Sequence, residues 1–154
     1  MLKKYILSLG VLLIYFTLPL LAKPIDMHTL QGSWHLRAMD GMEVRKARAI
    51  LDFKPKQMMV HGFDGCNRIN GKLTKNDDNT FKAMLISTRM ACRQKVHSWV
   101  SQRLHQTMSE GFTITKEHQY NIDGITLKSA THTLFFKKMG KESKNNTVTE
   151  IESY

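Results

Sequence analysis

The chain has 154 residues, 42% of them hydrophobic and 23% charged, and a formal net charge of +10. That length leaves room for one domain with appendages and excludes an assembly of several large cores. Two cysteines and seven histidines without CxxC or HExxH spacing argue against a four-ligand zinc site.

Residues 1–22 read as a secretory signal peptide. Lys3 and Lys4 form a basic start, Tyr5 to Leu21 is apolar apart from Ser8 and Thr17, and Leu20-Leu21-Ala22 places a small residue before a cut. The alternative is an uncleaved membrane anchor, because the apolar stretch sits at the short edge of spanning length. Pro19 and Ala22 suit a cleavage region better than a stable helix end, and no cysteine near the cut is available for lipid attachment. A bacterial signal of this kind implies the periplasm or beyond, where thiols oxidise. Removing residues 1–22 takes two lysines and no acids, leaving +8 on the mature chain. Export shifts the expected counterpart of that charge from nucleic acid to anionic lipid headgroups, lipopolysaccharide or an acidic protein. A solvated lysine-rich surface is the plainer reading, since basic residues are scattered from Arg37 to Lys144.

Beyond a lead segment, 23–29, alternation of apolar and polar residues predicts half-buried strands. Leu30 to Leu36 places Leu30, Trp34 and Leu36 on one face; Ala47 to Phe53 brings Ala47, Ala49, Leu51 and Phe53 together; Gln57 to His61 offers Met58 and Val60. Asp40-Gly41 and Lys54-Pro55-Lys56 read as turns. Strands are expected again over Gly71 to Lys75 and Thr80 to Ile86, with the turn Asn76 to Asn79 between them. Val96, Trp99, Val100, Leu104 and Met108 then recur at helical spacing, which predicts an amphipathic helix over 94–110 closed by Gly111. Four short strands follow: Phe112 to Thr115, Tyr120 to Ile122, Ile125 to Lys128 and Thr133 to Phe136. Asp123-Gly124 is expected as a tight hairpin turn between the second and third of these. Residues 139–154 read as a mobile tail without a core pattern. About eight strands and one helix describe a mainly β, α+β or barrel-like domain.

The chemistry-bearing residues cluster in one cassette, Gly62-Phe63-Asp64-Gly65-Cys66-Asn67-Arg68-Ile69-Asn70-Gly71, followed by Ser87-Thr88-Arg89-Met90-Ala91-Cys92. Its spacing matches neither a phosphate-binding Walker loop nor a dinucleotide fingerprint. Gly62, Gly65 and Gly71 suit positions of positive φ or close chain approach, and Asn67 and Asn70 suit tight turns. In an oxidising compartment Cys66 and Cys92 form a disulfide by default if the fold brings them together. The competing readings are free structural thiols, a metal site, or a cysteine nucleophile served by His61, His97 or His105. Arg89, Arg93, Lys95 and Arg103 gather around the cassette and helix as a candidate anion-facing patch. Trp34 and Trp99 read as core anchors, and Met58, Met59, Met84, Met90 and Met108 as core residues.

These residues carry a resemblance. Leu30-Gln31-Gly32-Ser33-Trp34, the two halves of the cassette and Leu134-Phe135-Phe136 resemble the META domain family, which includes the heat-shock protein HslJ, from Leu30 to Lys138. The resemblance implies a small, partly open antiparallel β-barrel of lipocalin-like topology with one helix packed on it, and it supports the Cys66–Cys92 link. It carries no catalytic residues, metal or cofactor to transfer. What it implies is a setting in envelope stress, and either a partner protein or an apolar ligand. A non-enzymatic, monomeric binding protein is therefore expected, with an inhibitor or pilotin-like secretion role through the basic surface as the alternative. A cysteine-dependent enzyme is the remote third.

Overall fold

A computed structural model describes residues 25–76 and 79–140. The expected signal peptide, 1–22, and the tail from residue 141 onward lie outside the described residues, as does part of the turn after Asn76. The strands are β1 (Gly32–Met39), β2 (Met42–Glu43), β3 (Ile50–Lys54), β4 (Met59–Phe63), β5 (Arg68–Lys75) and β6 (Phe81–Ser87). After these come the α-helix α1 (Lys95–Glu110), the only one among the described residues, then β7 (Thr113–Gln119), β8 (Ile122–Lys128) and β9 (Thr133–Lys138).

All strand pairs are antiparallel, in the order β6-β5-β4-β3-β1-β9-β8-β7, with the short β2 paired to β1. The edge strands β6 and β7 meet at one bridge, where Phe81 and Phe112 exchange two N–H···O bonds of 2.8 Å. No ladder continues that pairing, so the sheet curls into an open barrel-like α+β fold rather than a closed one.

The alternation that predicts these strands is also what fills the interior. Trp34 and Leu36 of β1, Leu51 and Phe53 of β3, Ile69 and Leu73 of β5, and Phe81 and Ala83 of β6 all point into one core. A bulge between Leu36 and Ala38 breaks the period of β1, so that both Ala38 and Met39 are buried. On α1, Val100, Leu104 and Met108 are fully buried, with Val96 and Trp99 packed beside them. Each fully buried side chain of this size contributes roughly 1.5 to 3 kcal/mol. Gly111 ends the helix at φ 101°, its N–H donating to the Thr107 carbonyl, as its place after the periodic run predicts.

Two expectations are corrected. The β7–β8 hairpin turns at Tyr120-Asn121, both at positive φ (53° and 57°), and not at Asp123-Gly124, which lies within β8. A Cβ on Gly124 would stand 2.2 Å from the Phe136 carbonyl oxygen, so this glycine serves close strand packing. Met84 and Met90 are not core residues but 73% and 50% exposed: Met84 lies on the face of β6 opposite Phe81 and Ala83, and Met90 lies in the segment between β6 and α1. Met108 is buried as expected.

Candidate functional site

The cassette folds as a clamp between the sheet and α1. Cys66 and Cys92 are disulfide-bonded, with their Cα atoms 4.9 Å apart. Asn67 reinforces the same junction, its Oδ1 accepting from the Met90 N–H (2.7 Å) and the Thr88 hydroxyl (3.3 Å). Gly65 has φ 99°, and a Cβ there would press within 3.3 Å of the Ala47 carbonyl oxygen and 3.5 Å of the His97 carbonyl oxygen. A glycine therefore lets the cassette, the 3-10 turn Arg45–Ala47 and the start of α1 converge. Gly62 and Gly71 lie inside β4 and β5, where a Cβ would meet the Ile50 and Met84 carbonyl oxygens at 1.9 and 2.7 Å. Asn70 is an exposed β5 residue paired with His61 and Ile86. Gly62, Asn70 and Gly71 are thus strand residues rather than turn makers.

The keystone is Asp64, which the sequence reading did not single out. It is fully buried. Its Oδ1 accepts from the backbone N–H groups of Cys66 (2.8 Å) and Asn67 (2.6 Å), and its Oδ2 from the Ser101 hydroxyl (2.8 Å) and His105 Nε2 (2.9 Å). An ionised carboxylate only accepts, so this arrangement requires a proton on His105 Nε2. Burial alone would raise the Asp64 pKa, but the bonds from His105, Asn67, Ser101 and Cys66 together outweigh it and hold the carboxyl below its ordinary value. Asp64 therefore ties the cassette turn to two successive turns of α1. With both sulfurs in the disulfide and the Asp64 oxygens fully engaged, the cluster has the character of a fastening.

The expected anion-facing patch is dispersed. Arg103 lies over the Trp99 ring at 4.0 Å, with Nε 3.8 Å from Asp40 Oδ2. Arg89, Arg93 and Lys95 are exposed, and of the four only Arg93 lines a cavity beside the disulfide, about 350 Å³ in volume. Among the described residues, no group of three or more His, Cys, Asp or Glu is placed to hold a metal ion.

A larger hollow, about 450 Å³, opens on the core-facing side of β1, β9, β8 and β7. Trp34 and Ile125 form its apolar floor, while Lys116, Glu117, His118, Asp123 and Lys138 stand around it. The register explains the set: Trp34 pairs with Lys138, Ile125 with Lys116, and His118 with Asp123. These strands keep pointing inward after the core residues run out, so their last inward positions become polar and exposed. Trp34 is fixed by an Nε1–H bond of 2.8 Å to the Leu30 carbonyl, and the Lys138 ammonium lies 5.4 Å from its ring centre. His118 and Asp123 pair at 2.7 Å. The other end of the same strands is closed by α1, through Thr131 to Glu110 (2.7 Å) and His132 to Gln106 (3.2 Å), and His132 also bonds Asp40 in the turn after β1 (2.9 Å).

Comparison with known proteins places the chain. A family model described as the META domain matches residues 27–141. The chain belongs to the META domain family. Two solved structures share the META domain's architecture. One, an NMR structure, is 23% identical, covers 74% of this chain and 95% of its own, and superposes with a TM-score of 0.60. The other, an NMR structure of a protein from Burkholderia xenovorans, is 21% identical, covers 81% and 96%, and has a TM-score of 0.58. At these identities the likeness establishes the fold alone. No match was found among curated proteins. Among the described residues, no helix is long and apolar enough to cross a membrane.

Proposed function

We propose that this META domain is an exported, non-enzymatic binding protein of the cell envelope, active in envelope stress, and that the open hollow takes an apolar ligand with an anionic end. The observation that carries the reading is the composition of the hollow, with an indole and an isoleucine as floor and the Lys116 and Lys138 ammonium groups beside it, while its two carboxylates are engaged, Glu117 by Thr115, Gln119 and Thr126 and Asp123 by His118. Apolar burial supplies affinity and the ammonium groups orient the charged end. Export rests on the amino-terminal pattern of residues 1–22, and the stress role on family membership.

The test uses Trp34 itself. In a Trp99→Phe background, titration with a single-chain carboxylate amphiphile below its micelle concentration is expected to change Trp34 fluorescence saturably. Lys116→Gln/Lys138→Gln should weaken the binding several-fold. A flat titration, or binding to the double variant at full strength, rejects the hollow as the ligand site.

A further inference from the structure

The cavity beside the disulfide has a composition different from that of the open hollow, and nothing in the proposed function uses it. Three separate segments wall it: the loop after the turn Arg45–Ala47, the cassette, and the stretch from Met90 into the first turn of α1. Phe63, Met90 and Ala91 give it an apolar side, while Arg48, Arg93 and His97 supply its polar groups. Among the described residues, no carboxylate lines it. Asp64, close by in sequence to the cassette cysteine, makes no direct ion pair with these arginines, since both its oxygens are buried and bonded elsewhere. Among the described residues, the Arg48 and Arg93 guanidinium groups and the His97 ring have no hydrogen bond or ion pair to the protein.

Arg48 adds an independent mark. It occupies the left-handed region at φ 56°, ψ 28°, closing the turn Arg45–Ala47 with its N–H on the Arg45 carbonyl. Glycine or asparagine takes that conformation with less strain. The position instead carries a long cation facing a cavity that already holds a second one. Two guanidinium groups and an imidazole about an acid-free cavity match a compact, multiply charged oxyanion, which accepts several charge-assisted bonds at once.

We infer that Arg48, Arg93 and His97 form a binding site for the phosphate group of a ligand whose adjoining part rests on Phe63, Met90 and Ala91. The disulfide holds Arg93, the residue after Cys92, beside the cassette, and Arg48 lines the same cavity from the turn Arg45–Ala47. The phosphate belongs either to a lipid headgroup or to a soluble phosphate ester, and the experiment separates these sources.

Inorganic phosphate is titrated into the purified, oxidised protein at constant ionic strength, and the backbone amide resonances are followed. Saturable shifts are expected at Gly65, Arg93 and His97. Arg48→Gln and Arg93→Gln, both at exposed side chains, should each raise the dissociation constant about tenfold with the remaining spectrum unchanged. In a second arm, vesicles of phosphatidylglycerol are compared with vesicles of phosphatidylcholine. Recruitment to the former that inorganic phosphate inhibits assigns the headgroup as source, and phosphate binding without recruitment assigns the soluble ester. Absence of saturable shifts, or shifts that persist at full affinity in both arginine variants, overturns the site.

Discussion

The two ends of the open, barrel-like sheet are built by opposite means. At the helix end, the disulfide, the Asn67 bonds to Thr88 and Met90, and the fully buried Asp64 fasten the cassette to α1. At the open end, Lys116, His118, Asp123 and Lys138 stand on the inward side of the strands yet remain exposed. Buried bonds to an ionised group contribute far more than exposed charge pairs, so stability is concentrated where the helix is clamped. The open end is thereby free to vary its side chains for binding without unmaking the fold.

The largest test of this contrast is removal of the staple. The Cys66–Cys92 bridge spans 26 positions, and on the chain-entropy model its loss costs about 3 to 4 kcal/mol. Cys66→Ser, Cys92→Ser and the double variant should lose similar amounts in urea unfolding, because either single change already removes the whole bridge. Clearly additive losses would show the sulfurs acting independently.

Asp64→Asn comes next, at about 2 to 3 kcal/mol, since the amide can keep Oδ1 as an acceptor but presents N–H groups to Ser101 and His105. The pH dependence has a definite sign. A carboxyl held below its unfolded pKa, about 3.9, stabilises the fold fully above that value and loses the contribution as pH falls through its lower folded value. Hydrogen bonding lowers the Glu117 carboxyl too, against the burial that would raise it, so Asp64→Asn should flatten the acid limb without abolishing it. Urea midpoints from pH 7 to pH 2 measure this, and an unchanged acid limb in Asp64→Asn would remove Asp64 from its keystone role.

The sequence revealed the elements better than the fastening. Period-two and helical patterns locate the inward strands and α1 to within a few residues, because burial alone writes those patterns. At Met84 strand parity overrides residue type, since Phe81 and Ala83 define the inward set of β6 and Met84 falls on its other face. The Asp-Gly pair misled for a different reason: a glycine can mark a turn or a close approach, and only the neighbouring strand, with its Phe136 carbonyl, decides between them. Asp64 was hidden because its partners Ser101 and His105 lie 37 and 41 residues away. One local signal existed, since an aspartate two and three residues before Cys66 and Asn67 can accept from both their N–H groups. A second was the four-residue spacing of Ser101 and His105, which puts both polar groups on one side of the helix. The hollow was invisible in sequence, because its lining is set by where the strand register runs past the core.

The smallest effect belongs to the open end. Lys138 contributes an exposed ammonium 5.4 Å from the Trp34 ring centre, an interaction of about 0.5 to 1 kcal/mol at most in such a setting. Trp34 keeps its bond to Leu30 and its packing without it. Lys138→Gln should therefore lower stability by less than about 1 kcal/mol, well under the cost of Asp64→Asn, while weakening binding of a carboxylate amphiphile. The two readouts come from one variant, by urea unfolding and by Trp34 fluorescence. A loss of stability as large as that of Asp64→Asn would mean that the open end also holds the barrel together, and the division between a fastening end and a binding end would fail.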